Sequence, residues 1–543
     1  MLIDPGCKIP GVYDNETFSQ WLLKDGRVKY RNVVVRESKL GGIGLFYTST
    51  NTNSDTSVEK VDRELLRLKL KYDYNELLGD LSQLKPENSA IVKNVLSTVR
   101  PSTETAILQC YFVAFKICID LAGASAKEDE KLAEFIPYVD ILCNTHVDEL
   151  VMEEGENGTS RFLSSVAARQ SSQLKRYTDL NSELGKLLKK EDSAIIKLQA
   201  FKQIEAAVRS RVLEIPYEDR ASSAEAIIES EGKEDDYYTN VTLVPLLDFV
   251  NHSSELEKNA YFDVDKETGD ILLKLKEGVQ ISEGTEITIC YSPTQNIQAM
   301  VKTYGFIPTL AEKGAVQLFE LILPPTFLNP YLQRFNNDEN TDFATILKWL
   351  QIFPLVQLVL INGKVYINYF SNLLPLALVK GFEYDPSWQT EIFGENEKYN
   401  EITDSEERKG IVDIIKLQEN EYDTVIGIDQ KAVKLDGEYP TVENILEIKH
   451  MENEEDFANL QTECTKMIYE YCKAEILQRT SDFLKETKLG DSSSTLLRSY
   501  TQKEIEVLSQ LVKEYEAGDD LILPEEIAEE DWELDRTGPK FYF

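Results

Sequence analysis

The sequence predicts an α+β fold in which a small β unit is split by a long helical insert and followed by a mainly helical C-terminal region. Three observations point there. Short β-rich runs occur near residue 40 and again between residues 243 and 291. Between them apolar residues recur at three- and four-residue spacing, the period of an amphipathic helix. Beyond about residue 313 one strand-like run leads into long helical patterns. At 543 residues the chain exceeds one ordinary core. The expected division is therefore a first domain over 1–313, its helical insert at about 58–213, and a helical C-terminal domain over 314–543.

In chain order, "RNVVVRESKLGGIGLFYT" (31–48) predicts two strands around a glycine-rich bend, because β-branched residues flank glycines that permit a sharp turn. "VEKVDRELLRLKLKYDYNELLGDL" and "IIKLQAFKQIEAAVRSRVLEI" predict helices of the insert. Strands return with "TLVPLLDFV", with "AYFDV" and "ILLKLK" around the turn "DKETGD", and with "EITICY". "TQNIQAMVKTYGF" predicts a helix and "AVQLFELIL" a strand, and "NLQTECTKMIYEYCKAEILQRTSDFLKET" represents the helical remainder.

Composition narrows the function. A hydrophobic fraction of 42% with 10% aromatic residues describes a folded chain with a large interior. The formal charge of −37, from 95 Asp and Glu against 58 Lys and Arg, repels phosphate backbones and anionic lipid heads and attracts basic proteins. The expected partner is thus a basic protein, with no direct nucleic acid and no membrane, and a monomer is the favoured state. Much of the acid is local, as in "ESEGKEDDYY", "ENEEDF" and "PEEIAEEDWELD". Seven scattered cysteines without a CxxC pair suit free thiols in a reducing compartment. The N-terminus lacks the basic start and apolar run of a signal peptide, and apolar runs such as "FPLVQLVLI" are shorter than the ~20 residues of a spanning helix. The reading is a soluble cytoplasmic or nuclear protein.

Several chemistries find no support. His146, His252 and His450 stand alone, with no HxxxH or CxxC spacing, so no metal site is expected. "GGIG" lacks both the P-loop Lys-Ser/Thr and the full dinucleotide fingerprint, and no GxSxG elbow is present. What remains is an ordered set: "GGIGL" at 41–45, "RSR" at 209–211, "DFVNHS" at 248–253, "EGTEITICY" ending at Tyr291, and "YGF" at 304–306.

In order and spacing this set resembles the SET-domain protein-lysine methyltransferases of the Rubisco large-subunit methyltransferase-like class, including its fungal ribosomal-protein and elongation-factor type. Thirteen residues separate Tyr291 from Tyr304, as in the plant enzyme. The resemblance implies a SET fold with a helical C-terminal substrate-binding domain, and S-adenosyl-L-methionine as cofactor. It implies that Gly42, Ile43, Gly44, Arg211, Asn251, His252 and Tyr291 contact the cofactor, Arg211 facing its carboxylate. Tyr291 is the implied catalytic residue, and Tyr304 completes the wall of the lysine channel. Three departures stand out: Gly41 where several relatives carry Glu, "SSELEKNA" in place of a shorter loop with proline before Asn259, and no cysteine-rich segment after Phe306.

These residue types suit the chemistry by themselves. Methyl transfer from a sulfonium to an amine needs in-line approach, a neutral amine and exclusion of water. A free lysine with pKa ~10.4 is almost wholly protonated at neutral pH, so a tyrosine-lined channel beside a cationic sulfonium favours the reactive form. The expected function is methylation of lysine on a non-histone, basic protein; the resemblance implies a ribosomal protein, an elongation factor or cytochrome c, with a component of the translation machinery as first candidate. A catalytically inactive binding module and a histidine methyltransferase are the alternatives. Leu213 stands where the histidine-directed branch has Asn, which favours lysine.

Overall fold

The computed structural model of the protein describes residues 2–52, 63–150, 161–190, 194–217, 238–292, 295–309, 316–324, 327–328, 354–369, 374–378, 382–384, 433–435, 454–488 and 495–524. The acidic cluster Glu234-Asp235-Asp236 and most of the acidic C-terminal stretch lie outside them. The chain forms two compact units: Met1–Leu150 with Ala168–Gln295 and Ala299–Phe306, and Val151–Ala167 with Asn296–Gln298 and Ile307–Phe543.

In the first unit, α1 (Asn15–Leu23) precedes the antiparallel pair β1 (Val28–Glu37) and β2 (Ile43–Thr52). The expected bend joins them: Gly41 and Gly42 take φ of 146° and 57°, a region glycine enters without a Cβ penalty, and the Ser38 N–H closes the turn on the Gly42 carbonyl at 3.0 Å. β3 (Glu64–Leu68) pairs with the other side of β1. This stretch was expected to be helical and is a strand. Leu65, Leu66 and Leu68 are buried and Arg67 is half-buried, so it is pairing with the open edge of β1, and not a strict alternation, that makes this stretch a strand.

The insert then builds α2 (Tyr74–Asp80), α3 (Pro86–Val99), α4 (Glu104–Ala122), α5 (Glu130–Asn144), α6 (Arg161–Leu188) and α7 (Leu198–Arg209). Asp73, Thr103 and Asp129 cap α2, α4 and α5 by accepting a main-chain N–H in the first turn. By length and composition α4 is apolar enough to cross a membrane. Its Tyr111, Phe112 and Phe115 are fully buried in the first unit's core, Phe115 stacked on Phe135 at 4.2 Å.

β4 (Val212–Tyr217) begins inside the last segment expected to be helical and pairs with β5 (Tyr238–Leu243). The strand expected over "TLVPLLDFV" ends at Leu243. Pro245 has no N–H to give to a ladder, Leu246 takes φ 78°, and Leu247–Phe249 wind into a 3₁₀ turn. The backbone re-enters the sheet for two residues as β6 (Asn251–His252). β7 (Ala260–Val264) and β8 (Ile271–Leu275) form the expected hairpin, β9 (Glu286–Ile289) follows, and α8 (Ile297–Tyr304) is the expected helix. The main sheet runs β6-β9-β2-β1-β3-β8-β7, with β6 parallel to β9 at one edge.

The second unit was expected to be helical after one strand, yet it contains a further sheet. β10 (Val316–Ile322), β11 (Leu355–Ile361) and β12 (Lys364–Asn368) pair antiparallel, and β13 (Phe382–Tyr384) pairs with β14 (Val433–Leu435). β11 is buried at every position, so apart from Gln357, which accepts the Asn368 amide at 3.1 Å, it reads as an apolar run without the alternation of a half-exposed strand. The long α9 (Glu454–Lys488) and α10 (Thr495–Ala517) carry the helical character. Here the Arg479 guanidinium, 2% exposed, lies 3.3 Å from the Glu504 carboxylate.

Candidate active site

The β6-β9-β2 edge gathers the motifs. Asn251 and His252 stand opposite Thr288 and Ile289. The Asn251 side-chain amide donates to the Ile43 carbonyl at 3.0 Å and to Glu286 Oε1 at 2.7 Å, so it ties the glycine bend to the β6 strand end. Ser38, in the bend, donates its hydroxyl to the same carboxylate at 2.7 and 2.9 Å. Gly44 is what admits that carboxylate: a Cβ there would land on Glu286 Oε1 and come within 3.0 Å of Asn251 Nδ2. Asn259 pins the stretched loop by donating to the Glu286 carbonyl at 2.7 Å and accepting the Thr288 N–H at 2.9 Å.

Aromatic rings adjoin this frame. His252 Nδ1 accepts the Tyr291 main-chain N–H at 3.0 Å, which leaves the ring proton on Nε2. Burial pulls the His252 pKa down to about 4, so the imidazole is neutral at physiological pH. The Tyr291 ring lies 4.7 Å from Tyr304 and 5.1 Å from His252, and Phe306 lies 5.8 Å from His252. The Tyr291 hydroxyl donates to the Val250 carbonyl at 2.7 Å. Its proton is therefore committed and its oxygen keeps lone pairs. Burial holds Tyr291 well above the ordinary phenol value and pushes Tyr304 up to about 12, so both stay neutral.

Arg211 faces a carboxylate of the chain itself: its Nε lies 3.3 Å from Asp248 Oδ2. Asp248 is fully buried and also accepts the Tyr138 hydroxyl at 2.8 Å, from α5 of the insert. Burial raises the Asp248 pKa and the Arg211 charge opposes that rise. Arg211, Asp248 and Glu286 all act electrostatically on Tyr291, so the predicted Arg211 and Tyr291 share one neighbourhood with two carboxylates. Arg209, the other arginine of "RSR", serves structure by reaching Glu149 at 2.7 Å and the Lys302 carbonyl at 3.1 Å.

Sequence reasoning missed Ser38, Glu286 and Tyr138. Glu286 lay inside a quoted motif, but a single acid among 95 carries no signal. Tyr138 meets Asp248 across 110 residues, and no local pattern announces that pairing.

The residues fit a zwitterionic sulfonium ligand. Such a ligand asks for an anion near its ammonium, a cation near its carboxylate, and oxygen or ring surface around the sulfonium. Glu286, Arg211 and the oxygen and rings of Tyr291 and Tyr304 supply those types. Arg211 Nε is buried without an aligned hydrogen bond, so Asp248 does not exhaust the guanidinium.

The split sheet with this site at its edge gives the chain an α+β fold with one candidate centre. The family model described as cytochrome c lysine N-methyltransferase 1 matches residues 16–539, and the chain belongs to that family. Relatives called cytochrome c lysine N-methyltransferase 1 include one from Candida glabrata, 25% identical over 349 residues, covering 61% of this chain and 59% of that one. One from Eremothecium gossypii is 36% identical over 179 residues, 33% of this chain and 34% of its own. One from Saccharomyces cerevisiae is 36% identical over 175 residues, 31% of this chain and 27% of its own. The matched segments thus span less than two thirds of each relative's length. Among solved structures, Rubisco LSMT bound to AdoMet aligns with a TM-score of 0.44 at 14% identity, covering 96% of both chains. The SET domain of LSMT bound to lysine and AdoHcy aligns at 0.43 and 14%, covering 96% and 95%. The family is the cytochrome c one, and the ribosomal-protein and elongation-factor type expected from the sequence finds no support in it.

Proposed function

We propose that the protein transfers a methyl group from S-adenosyl-L-methionine to a lysine side chain of cytochrome c. The observation that carries the chemistry is the Tyr291–Tyr304 pair, 4.7 Å apart, beside the Asn251–His252 strand end. Family membership and the names of the relatives support the client. Cytochrome c replaces the translation-machinery client as first candidate.

In this reading the cofactor supplies the electrophilic methyl group when bound. Gly42, Ile43, Gly44, Asn251, His252 and Arg211 hold and orient it. The neutral His252 imidazole adds no positive charge beside a sulfonium. Tyr291, whose proton is given to Val250, turns oxygen lone pairs toward the incoming amine and aligns it. The rings of Tyr304 and Phe306 keep water away from that amine, which favours its unprotonated form. The second unit binds the client protein, and the seven unpaired thiols support a reducing compartment, cytoplasmic or nuclear.

The test is to incubate the purified chain with labelled cofactor and cytochrome c in excess chelator, then map the label by mass spectrometry. Label on a lysine of cytochrome c is expected, and chelator is expected to make no difference. An unlabelled cytochrome c beside a labelled protein in a lysate lacking this enzyme overturns the client; no label anywhere favours a binding module, and label on histidine the histidine-directed branch.

A further inference from the structure

A carboxylate taken out of bulk water is normally matched by a cation, because a half-buried charge held by neutral groups alone keeps an unmet electrostatic demand. Glu286 departs from that rule. It is half-buried at the sheet edge, and its oxygens accept the Ser38 hydroxyl at 2.7 and 2.9 Å and the Asn251 amide at 2.7 Å. All of these donors are uncharged, and among the described residues Glu286 forms no ion pair. The fold also spends a residue on this position, since Gly44 is the one place in the bend where any Cβ would strike the carboxylate. The result is a fixed, uncompensated negative charge beside the glycine bend, close enough to Tyr291 to act on it electrostatically.

We infer that Glu286, oriented by Ser38 and Asn251, is the binding residue for the α-ammonium of the methionine portion of the cofactor. The inference rests on the methyltransferase reading and adds a residue and a ligand atom to it. A primary ammonium offers three donors, and the carboxylate has acceptor positions left after the Ser38 proton, shared between its two oxygens, and the Asn251 amide. Neutral orienting donors suit this task, because a resident arginine or lysine would compete with the ligand for the same oxygens. Ser38 is therefore a positioning residue and Glu286 the contact.

The experiment is calorimetric binding of the full-length chain to S-adenosylhomocysteine and to the same molecule lacking the α-amino group. The unaltered protein is expected to prefer the amino compound by about 10- to 100-fold, the range for a hydrogen-bonded charge pair. In Glu286→Gln that preference collapses to within about threefold, through weaker binding of the amino compound only, and Glu286→Asp restores part of it. Comparing two ligands on one variant removes any effect of a partly unfolded sample. Retention of the full preference in Glu286→Gln, or equal loss for both ligands, overturns the inference and leaves the methyltransferase reading intact. Binding of neither ligand by the unaltered chain overturns both.

Discussion

Replacing Tyr291 with Phe removes one oxygen and leaves the ring contacts with Tyr304 and His252 in place. Two costs follow and can be separated. The first is structural: the 2.7 Å bond to the Val250 carbonyl disappears, at about 1 kcal/mol for a neutral bond and up to ~3 kcal/mol if that carbonyl stays dry. Against a typical domain stability of roughly 5–15 kcal/mol the fold survives. The second is chemical: loss of a positioned polar group facing the amine is expected to lower turnover by about 10²-fold, or about 2.7 kcal/mol of barrier. Steady-state methylation of cytochrome c paired with thermal unfolding reads both. The expected result is a small drop in Tm, a large drop in kcat and a nearly unchanged KM for the protein substrate. Because burial keeps Tyr291 and Tyr304 above the ordinary phenol value, neither tyrosine should add an inflection to the rate between pH 7 and 10. A Tyr291→Phe variant with full turnover would refute the assignment of the hydroxyl to catalysis.

Three further outcomes are expected. Gly44→Ala should displace Glu286 and Asn251, at about 1–3 kcal/mol for overpacking, and weaken cofactor binding measured by calorimetry; unchanged affinity would show that the bend tolerates a Cβ. The His252 pKa is depressed from the ordinary 6.5 to about 4, so the unfolded chain binds more protons in that window, and the stability this ring contributes is lost as pH falls from 6.5 toward 4. His252→Gln should flatten part of that decline in a series of melting curves, and a parallel decline in both proteins counts against it. With a net charge of −37, raising ionic strength from roughly 0.05 to 0.3 M, which shortens the Debye length by more than half, should raise KM for a basic client and leave kcat nearly constant; a salt-independent KM removes the steering account.

The elements that could be read from sequence are those whose signal is local. Glycines in "GGIG" mark the β1–β2 bend, "KETG" marks the β7–β8 turn, and the apolar spacing of "IQAMVKTY" marks α8. Two misreadings have opposite causes. "ELLRL" carries the helical spacing of Leu65 and Leu68, and the partner strands β1 and β8 override it. "TLVPLLDFV" is apolar enough for a strand, but Pro245 and the φ of Leu246 break it, and that break turns Asp248 inward to meet Tyr138 and Arg211. Of the site, the residues that came from motifs do converge. Ser38 and Tyr138 stayed hidden because their partners lie 248 and 110 residues away, and separation of that kind leaves no trace in a window of ten or twenty positions.

The strand order β6-β9-β2 also dictates when the site can exist during synthesis. β2 ends at Thr52, and its neighbour β9 begins at Glu286. At a ribosomal pace of ~5–20 residues per second, the outer edge of that hairpin waits on the order of 10–50 s for its partner. Throughout that interval Leu45 and Phe46 offer unpaired main chain at an open edge, the kind of template that draws in other nascent chains. The insert can form meanwhile from contacts close in sequence, whereas the frame of the candidate site closes only once β9 has been made. A cell making this protein must therefore shield an N-terminal hairpin long before the chain has anything with which to cover it.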